Sequence, residues 1–240
     1  MDLVPFKTCT YDCIYCQLGR TTNLTVQRKE WVPMDAVLDE LKQKLVCRPD
    51  YITLSGSGEP TLHSRLGEII EHIQAMSDVP VAVLTNGSLL WQKEVREELA
   101  LANVVLPSLD AGDAVKFAFI NRPHSIIAFE QMVEGLIAFR REFTGQYWLE
   151  VFLLGGYTAI EADVKKLATW VKRIRPNRVQ LNTVTRPPAE DFASSVPPEA
   201  LAHFARYFVL PSLDAGDAVK FAFINRPHSI IAFEQMVEGL

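Results

Sequence analysis

The sequence predicts an α/β fold with a parallel sheet, and within that class a partial (β/α)6 barrel. Two observations support this prediction. Six short runs rich in Val, Ile, Leu and Tyr alternate with amphipathic helical stretches along the 240-residue chain, which is the order expected of βαβ units. Six such units fit an open barrel better than a closed eightfold one, which needs about 250 residues for its eight units.

The predicted elements follow from hydrophobic patterning. The strands are expected at 3–6, 51–55, 79–85, 104–109, 148–154 and 179–184, and most of them close near Gly, Ser, Asn or Thr, as buried parallel strands do. The helices are expected at 34–45, 64–76, 89–101, 125–143 and 159–174, where apolar residues recur every three or four positions. A proline-rich loop, 186–198, and a further helix, 198–207, follow the last strand.

Composition indicates an ordinary globular protein. Hydrophobic residues make up 48% of the chain and charged residues 22%, a balance that excludes a disordered protein. The chain carries 24 Lys and Arg against 29 Asp and Glu, a formal net charge of −5. A nucleic-acid partner is possible through a local basic patch, but the overall charge does not support one.

The sequence shows no sign of a membrane or secretory role. It contains no run of 18 apolar residues, the length that a membrane-spanning helix requires. Near the N-terminus, Asp2, Lys7 and Asp12 occupy the region where a signal peptide needs an apolar stretch. We therefore expect a cytoplasmic protein with no membrane partner.

An exact internal repeat divides the chain. Segment 209–240 is identical to 105–136 at every position. Natural repeats keep their structural positions and vary the rest, so this identity indicates a very recent duplication or an error of assembly. We favour the error, because the first copy continues its helical pattern into 137–143 whereas the second ends in mid-helix. The expected organisation is one barrel domain, 1–208, followed by a copy that is non-functional or artefactual.

This interpretation predicts that 209–240 is dispensable. A chain that ends at residue 208 should unfold as cooperatively as the full chain and bind any ligand of the barrel equally well, because the copied segment is not expected to dock on the core. Thermal unfolding and ligand titration of the two chains provide the measurement. Loss of the cooperative transition on deletion would show that the copy is part of the fold.

Polar residues cluster at the predicted carboxyl ends of the strands, where parallel α/β folds place their ligand sites. In chain order these are a cysteine loop after the first strand, SGSGEP at 55–60, Thr85-Asn86-Gly87, Ser108-Leu109-Asp110 and Asn182-Thr183. Five of the six strand ends are therefore expected to meet at one mouth of the barrel.

The strongest chemical signal is the spacing Cys9-x3-Cys13-x2-Cys16. Three thiolates on a short loop can hold a cubane cluster and leave its fourth iron open, whereas an electron-transfer cluster normally takes four cysteines. A structural zinc site also needs four ligands, and neither Cys47 nor His63 has zinc-like spacing. Cys47 is instead expected to be a small core residue. Structural zinc and plain reduced thiols remain the alternative interpretations.

These motifs resemble those of a known family. CTYDCIYC resembles the cluster loop of the radical S-adenosylmethionine (radical SAM) enzymes, and SGSGEP resembles their GGEP-type motif. The stretches DLVPFKTC, ITLSGSGEPTL, VAVLTNGSLL and RVQLNTVTRPP are most similar to a subgroup of iron–sulfur oxidoreductases related to the enzymes of wyosine base formation in tRNA. The resemblance runs from about residue 3 to residue 207 and implies a partial barrel of the radical SAM type.

The resemblance implies a set of site residues. Cys9, Cys13 and Cys16 would hold one 4Fe-4S cluster, whose open iron S-adenosylmethionine would chelate through its amino and carboxylate groups. The implied cofactor-binding residues are Tyr15 beside the adenine; Gly56, Ser57, Gly58, Glu59 and Pro60 at the methionine amino group; Thr85, Asn86, Ser108 and Asp110 at the ribose or carboxylate; and Asn182 near the adenine. Catalytic residues beyond these stay unassigned, as does Glu150 within its apolar strand.

Some of these residues also have ordinary structural interpretations. Asn86 could cap a turn, Asp110 could be the N-terminal cap of a following turn, and Asn182 could cap a loop. A second cluster held by cysteines alone is excluded, because only Cys47 remains.

The activity implied by the resemblance is reductive cleavage of S-adenosylmethionine to a 5′-deoxyadenosyl radical, which abstracts hydrogen from an unknown substrate. An electron donor such as flavodoxin or ferredoxin is the implied partner. The alternative is an iron–sulfur or zinc-binding module without turnover. Two substrate classes stay open, a tRNA base that becomes modified and a partner protein that receives a glycyl radical.

Overall fold

The computed structural model describes residues 1–208, and the second copy of the repeat, 209–240, lies outside the described residues. The strands of the described part are β1 (Thr8–Cys9), β2 (Asn23–Leu24), β3 (Ile52–Leu54), β4 (Val81–Thr85), β5 (Val104–Pro107), β6 (Gln146–Phe152) and β7 (Arg178–Asn182). Its α-helices are α1 (Met34–Lys44), α2 (Leu66–Met76), α3 (Lys93–Leu99), α4 (Ala114–Ile120), α5 (Phe129–Glu142), α6 (Glu161–Ile174) and α7 (Pro198–Ala205). Short 3-10 turns cover Leu45–Cys47, Pro60–Leu62 and Arg206–Phe208.

The main sheet consists of β3, β4, β5, β6 and β7 in chain order, and every neighbouring pair is parallel. Each crossover between successive strands contains a helix, with two helices, α4 and α5, between β5 and β6. This topology confirms the predicted α/β class and its open parallel barrel. All five carboxyl ends therefore lie at one edge of the sheet.

The first strand is the main correction to the predicted fold. Segment 3–6 is not a strand, although Leu3 and Val4 are buried in the core as the apolar pattern requires. Pro5 has no N–H to donate to a sheet, and Lys7 adopts a left-handed φ of 63° that interrupts extended backbone. The chain instead forms the two-residue β1 beside β2, and the sixth strand of the expected barrel is replaced by an isolated parallel bridge, Asp2 to Ser55.

Strand β6 shows why a glutamate stands in an apolar run. Its side chains alternate, with Tyr147, Leu149 and Val151 fully buried and the intervening residues half-buried. Tyr147 packs against Phe139 of α5, so this set faces the helices. Glu150 therefore belongs to the opposite set and faces the interior of the open barrel.

Some predictions about local structure are wrong. Helix α4 was not expected, and Asp113 caps its N-terminus by accepting a hydrogen bond from the Lys116 N–H, so Asp110 is not the cap. The predicted helix 125–143 begins only at Phe129. Cys47 is exposed rather than part of the core, because it lies in the 3-10 turn at the end of α1.

No helix within residues 1–208 is both long and apolar enough to cross a membrane.

Candidate functional site

A cavity of about 490 Å³ opens where the carboxyl ends of β3, β4 and β5 meet β6. Its lining consists of Asp2, Cys9, Gln17, Leu18, Ser55, Gly56, Ser57, Gly58, Glu59, Leu84, Thr85, Asn86, Leu106, Ser108 and Glu150. Most predicted cofactor-binding residues therefore lie around one space of the size that small-molecule sites usually have. Tyr15, Pro60, Asp110 and Asn182 were also predicted as cofactor ligands but are not part of this lining.

The cysteine loop runs from β1 across the end of α4. The Ile14 N–H donates to the Ile120 carbonyl at 2.9 Å, and the Asp12 N–H donates to the Asn121 carbonyl at 3.0 Å. Ile14 is also fully buried beside Ile120 and Leu154. These contacts hold the middle of the loop, so that Cys9, Cys13 and Cys16 project from an anchored backbone as half-buried free thiols.

Two side-chain amides point at the thiols. The Asn86 Nδ2 lies 3.5 Å from the Cys9 Sγ, and the Asn121 Nδ2 lies 3.5 Å from the Cys13 Sγ. Amide donors at this distance stabilise a thiolate and orient its sulfur toward a metal. Asn121 was missed from the sequence, because its contribution depends on the unexpected helix α4.

Two of the thiols, those of Cys9 and Cys13, have a raised pKa. Burial raises the pKa of the Cys9 thiol to about 12, and the nearby Glu59 carboxylate adds to this rise. The pKa of Cys13 is also raised, mainly by burial and then by Asp110. Metal binding must displace these protons, so uptake should become easier as the pH rises.

The glycine-rich loop lies directly against the cysteine strand. Gly58 forms a parallel bridge with Thr8, and the Glu59 N–H donates to the Thr8 carbonyl at 3.1 Å. A Cβ atom at Gly58 would lie only 1.8 Å from that carbonyl oxygen. Glycine is therefore required here for close approach of two backbones, and this approach joins the two predicted cofactor motifs.

Glu59 is buried, and its side chain connects the segment after β3 to the end of β4. Its carboxylate accepts hydrogen bonds from the Thr61 N–H and hydroxyl, from the Thr85 hydroxyl at 2.6 Å and from the Asn86 N–H at 2.8 Å. Burial raises the pKa of Glu59, and these donors oppose the rise. The carboxylate thus fixes Thr85 and Asn86 at the cavity wall.

Tyr15 and Asp110 are bonded to each other. The Tyr15 hydroxyl donates to Asp110 at 2.5 Å, and the Tyr15 ring stacks on Phe152 with centroids 4.0 Å apart. Asp110 also accepts from the Asn121 Nδ2 and the Phe152 N–H. Asp110 is buried, with only 4% of its surface exposed. Because its carboxylate accepts from both Tyr15 and Phe152, it connects the cysteine loop to β6. The predicted cofactor contacts of these two residues stay predictions.

Glu150, which the sequence left unassigned, lies in the cavity wall. The Asn182 Nδ2 donates to its Oε2 at 2.6 Å, so Asn182 supports Glu150 rather than lining the cavity itself. Burial raises the pKa of Glu150 to about 7, the Asp110 charge adds to the rise, and Asn182 and Ser108 oppose it. A glutamate within an otherwise apolar strand was the one feature of the sequence that pointed to a role for this residue.

This shift predicts a pH-dependent stability. The folded protein holds a proton on Glu150 up to about pH 7, whereas the unfolded chain releases it near the ordinary glutamate pKa of 4.5, so the group's contribution to folding is lost as the pH rises through this window. Metal-free Glu150→Gln should therefore be about 1–3 kcal/mol more stable than the unaltered protein at pH 8, with little difference at pH 4.5. Urea unfolding at both pH values measures this. The exposed Glu71→Gln is the matched control, and equal pH profiles for both variants would contradict the assignment.

The donor set fits an iron–sulfur cluster. Three thiols lie on one anchored loop, and the side-chain amides of Asn86 and Asn121 point at two of their sulfurs. The thiols are close enough to interact electrostatically, since Cys9 and Cys16 both raise the pKa of Cys13. Within residues 1–208, no three Cys, His, Asp or Glu side chains are gathered as closely as a single metal ion requires. In a cubane each thiolate binds a different iron, so three cysteines around a cluster lie farther apart than three around one ion.

Comparison with curated proteins shows relatives of uneven length. The chain is 43% identical over 210 residues to a Brachyspira hyodysenteriae protein named GTPase Obg, and the aligned region covers 87% of this chain and 31% of that protein. It is 39% identical over 181 residues to a UPF0026 protein of Synechocystis sp., and the aligned region covers 75% of this chain and 68% of the relative. The chain therefore spans less than a third of the first relative's length.

Comparison with solved structures shows the same barrel. The structure of TYW1 with a lysine-pyruvate adduct bound has a TM-score of 0.64 at 20% identity, over 84% of this chain and 69% of that one. Streptococcus suis SuiB bound to S-adenosylmethionine has a TM-score of 0.69 at 13% identity, over 92% and 49%. At these identities the likeness shows the fold alone.

A family-level match settles the assignment. The family model of the radical SAM superfamily matches residues 3–230, which is most of the chain. This match confirms the family that the sequence resembles, and the parallel sheet with its radical SAM structural neighbours confirms the partial barrel that the resemblance implied. The chain therefore belongs to the radical SAM superfamily and to the UPF0026 family.

Proposed function

We propose that this protein reductively cleaves S-adenosylmethionine at a 4Fe-4S cluster held by Cys9, Cys13 and Cys16, and uses the 5′-deoxyadenosyl radical to take hydrogen from a substrate. Superfamily membership implies an iron–sulfur enzyme that uses this cofactor. The observation that carries the proposal is the shared cavity, since Cys9 and the glycine-rich loop 55–59 lie in one lining.

The charge of the lining suits the cofactor. Asp2, Glu59 and Glu150 are part of it, and no Lys or Arg is among the residues that line the cavity. S-adenosylmethionine carries a cationic sulfonium and an ammonium group, so the carboxylates of Asp2 and Glu59 favour its binding, and a cation bound beside Glu150 would favour release of the proton from that residue. Gly56 and Gly58 let backbone carbonyls approach the ammonium closely, and Leu84 and Leu106 provide apolar contact.

When bound, the reduced cluster supplies the electron that cleaves the carbon–sulfur bond of the cofactor. The residues of the chain hold the components in place for this chemistry. Asn86 and Asn121 donate toward the thiolate sulfurs, while Glu59 fixes the wall that carries Asn86. The Tyr15–Asp110 bond ties the loop to β6, which limits movement of the cysteines relative to the cavity.

The proposal limits the substrate to two chemical classes and names no single compound. A tRNA base and a partner protein that receives a glycyl radical are the two classes that the family resemblance suggests. The acidic lining argues against seating RNA phosphates inside the cavity, so a nucleic acid would have to present a base while its backbone stayed outside. The proposed electron donor is a flavodoxin or ferredoxin.

Cofactor cleavage tests the proposal. Protein reconstituted anaerobically with iron and sulfide should convert S-adenosylmethionine to 5′-deoxyadenosine and methionine when dithionite is added, and should leave it intact without reductant. Liquid chromatography of the quenched mixture measures both products. A fully loaded cluster with an intact cofactor would contradict the proposal and favour a binding module without turnover.

A further inference from the structure

Lys7 is a buried lysine whose ammonium has no partner among residues 1–208. The side chain is 3% exposed, and its Nζ makes no hydrogen bond in the described part of the chain. No carboxylate of residues 1–208 lies within ion-pair distance of it either. A buried charge without a counter-charge destabilises a protein, so its presence needs a physical reason.

The backbone of Lys7 is held between the two cofactor motifs. Its N–H donates to the Ser57 carbonyl of the glycine-rich loop at 2.6 Å, and its carbonyl accepts from the Thr22 and Asn23 N–H groups. With a left-handed φ of 63°, the residue turns its side chain away from the direction an extended strand would give it. The position of the side chain is therefore determined by both neighbouring segments.

The ammonium lies beneath the end of the cysteine loop. A Cβ atom built on Gly19 would be 3.9 Å from the Lys7 Nζ, and the Gly19 N–H donates to the Cys16 carbonyl at 2.9 Å. Lys7 is not among the residues that line the cavity. Lys7 stands two positions before Cys9, and Gly19 stands three positions after Cys16, so the ammonium lies where the two ends of the cysteine segment meet.

We infer that the Lys7 ammonium is the counter-charge of the thiolate-bound cluster and raises its reduction potential. Reduction adds one negative charge to a cluster that three thiolates already make anionic, and a fixed positive charge in a poorly screened interior favours that charge. The Lys7 charge would act on the cluster electrostatically, without contact with substrate or cofactor, so Lys7 is not a catalytic residue. This inference rests on the proposed function, because it requires a cluster on Cys9, Cys13 and Cys16.

A redox titration followed by EPR tests the inference. Anaerobically reconstituted Lys7→Met should show a more negative midpoint potential than the unaltered protein. At a given potential we expect the ratio of reduced to oxidised cluster to fall about tenfold or more. This is a shift of about 59 mV or more for a one-electron couple. Lys7→Arg, which keeps the charge, should shift much less, and Lys172→Met, which removes an exposed charge from α6, should not shift at all.

The metal-free protein gives a second reading. Replacing an unpaired buried ammonium with Met should raise the Tm of the apoprotein, and loading the cluster should then stabilise Lys7→Met less than the unaltered chain. Loss of cluster loading in Lys7→Met but not in Lys7→Arg would also support the inference. Equal potentials in Lys7→Met and the unaltered protein would overturn it, as would equal shifts in Lys7→Met and Lys7→Arg. If the unaltered protein binds no iron, the proposed function itself fails.

Discussion

Cys13→Ser should remove nearly all bound iron and abolish cofactor cleavage. Cys13 lies at the centre of the cysteine loop, and the Asn121 amide points at its sulfur. Changing an outer-shell partner of a metal ligand typically costs about 10–100-fold in affinity or activity, so loss of a ligand itself should exceed that range. Iron analysis after anaerobic reconstitution and the yield of 5′-deoxyadenosine measure the two effects.

The chain offers a matched control for this change. Cys47 is exposed and lies in the turn after α1, away from the cavity lining. Cys47→Ser should therefore load iron and cleave the cofactor as the unaltered protein does. If Cys13→Ser kept its iron while Cys47→Ser lost it, the assignment of the cluster ligands would be wrong.

Gly58→Ala should separate the two cofactor motifs and destabilise the fold by about 2–3 kcal/mol. The added Cβ would meet the Thr8 carbonyl oxygen at 1.8 Å and the Val4 Cγ2 at 2.8 Å, and backbone cannot yield as a side-chain end can. The cysteine strand would have to move away from the glycine-rich loop. We therefore expect a lower midpoint in urea unfolding, together with weaker binding of S-adenosylmethionine to the reconstituted protein.

Gly67→Ala is the control for Gly58→Ala. In helix α2, a Cβ at Gly67 would approach only the flexible side chains of Glu98, at 3.1 Å, and Leu101, at 3.4 Å. Alanine is the better helix former, so this variant should be neutral or slightly more stable. Cofactor binding by Gly58→Ala at the unaltered affinity would show that the close approach of the two motifs does not matter for the site.

The strands β4 to β7 were predictable because buried parallel strands carry continuous apolar runs that end in polar residues. Segment 3–6 has the same apolar character but is not a strand, since the left-handed backbone of Lys7 is not visible in hydrophobic patterning. Helix α4 is only seven residues long, too short for its periodicity to be distinctive. Asn121 was missed together with it.

For the site, local motifs were informative and long-range pairs were not. The cysteine motif and the glycine-rich loop are each a short continuous segment, and the structure places Cys9 of the first and residues 55–59 of the second in one cavity lining. The bond between Tyr15 and Asp110 joins residues 95 positions apart, so no local pattern could reveal that they face each other. Glu150 and Asn182 are likewise brought together by the pairing of β6 with β7.

Iron and sulfide analysis combined with low-temperature EPR tests the central claim most directly. The anaerobically reconstituted and reduced protein should contain about four irons per chain, and its EPR spectrum should change when S-adenosylmethionine is added, because the cofactor binds the open iron. Zinc in place of iron, or an iron–sulfur spectrum unaffected by the cofactor, would contradict the claim that this cysteine loop holds a cluster with an open position for S-adenosylmethionine.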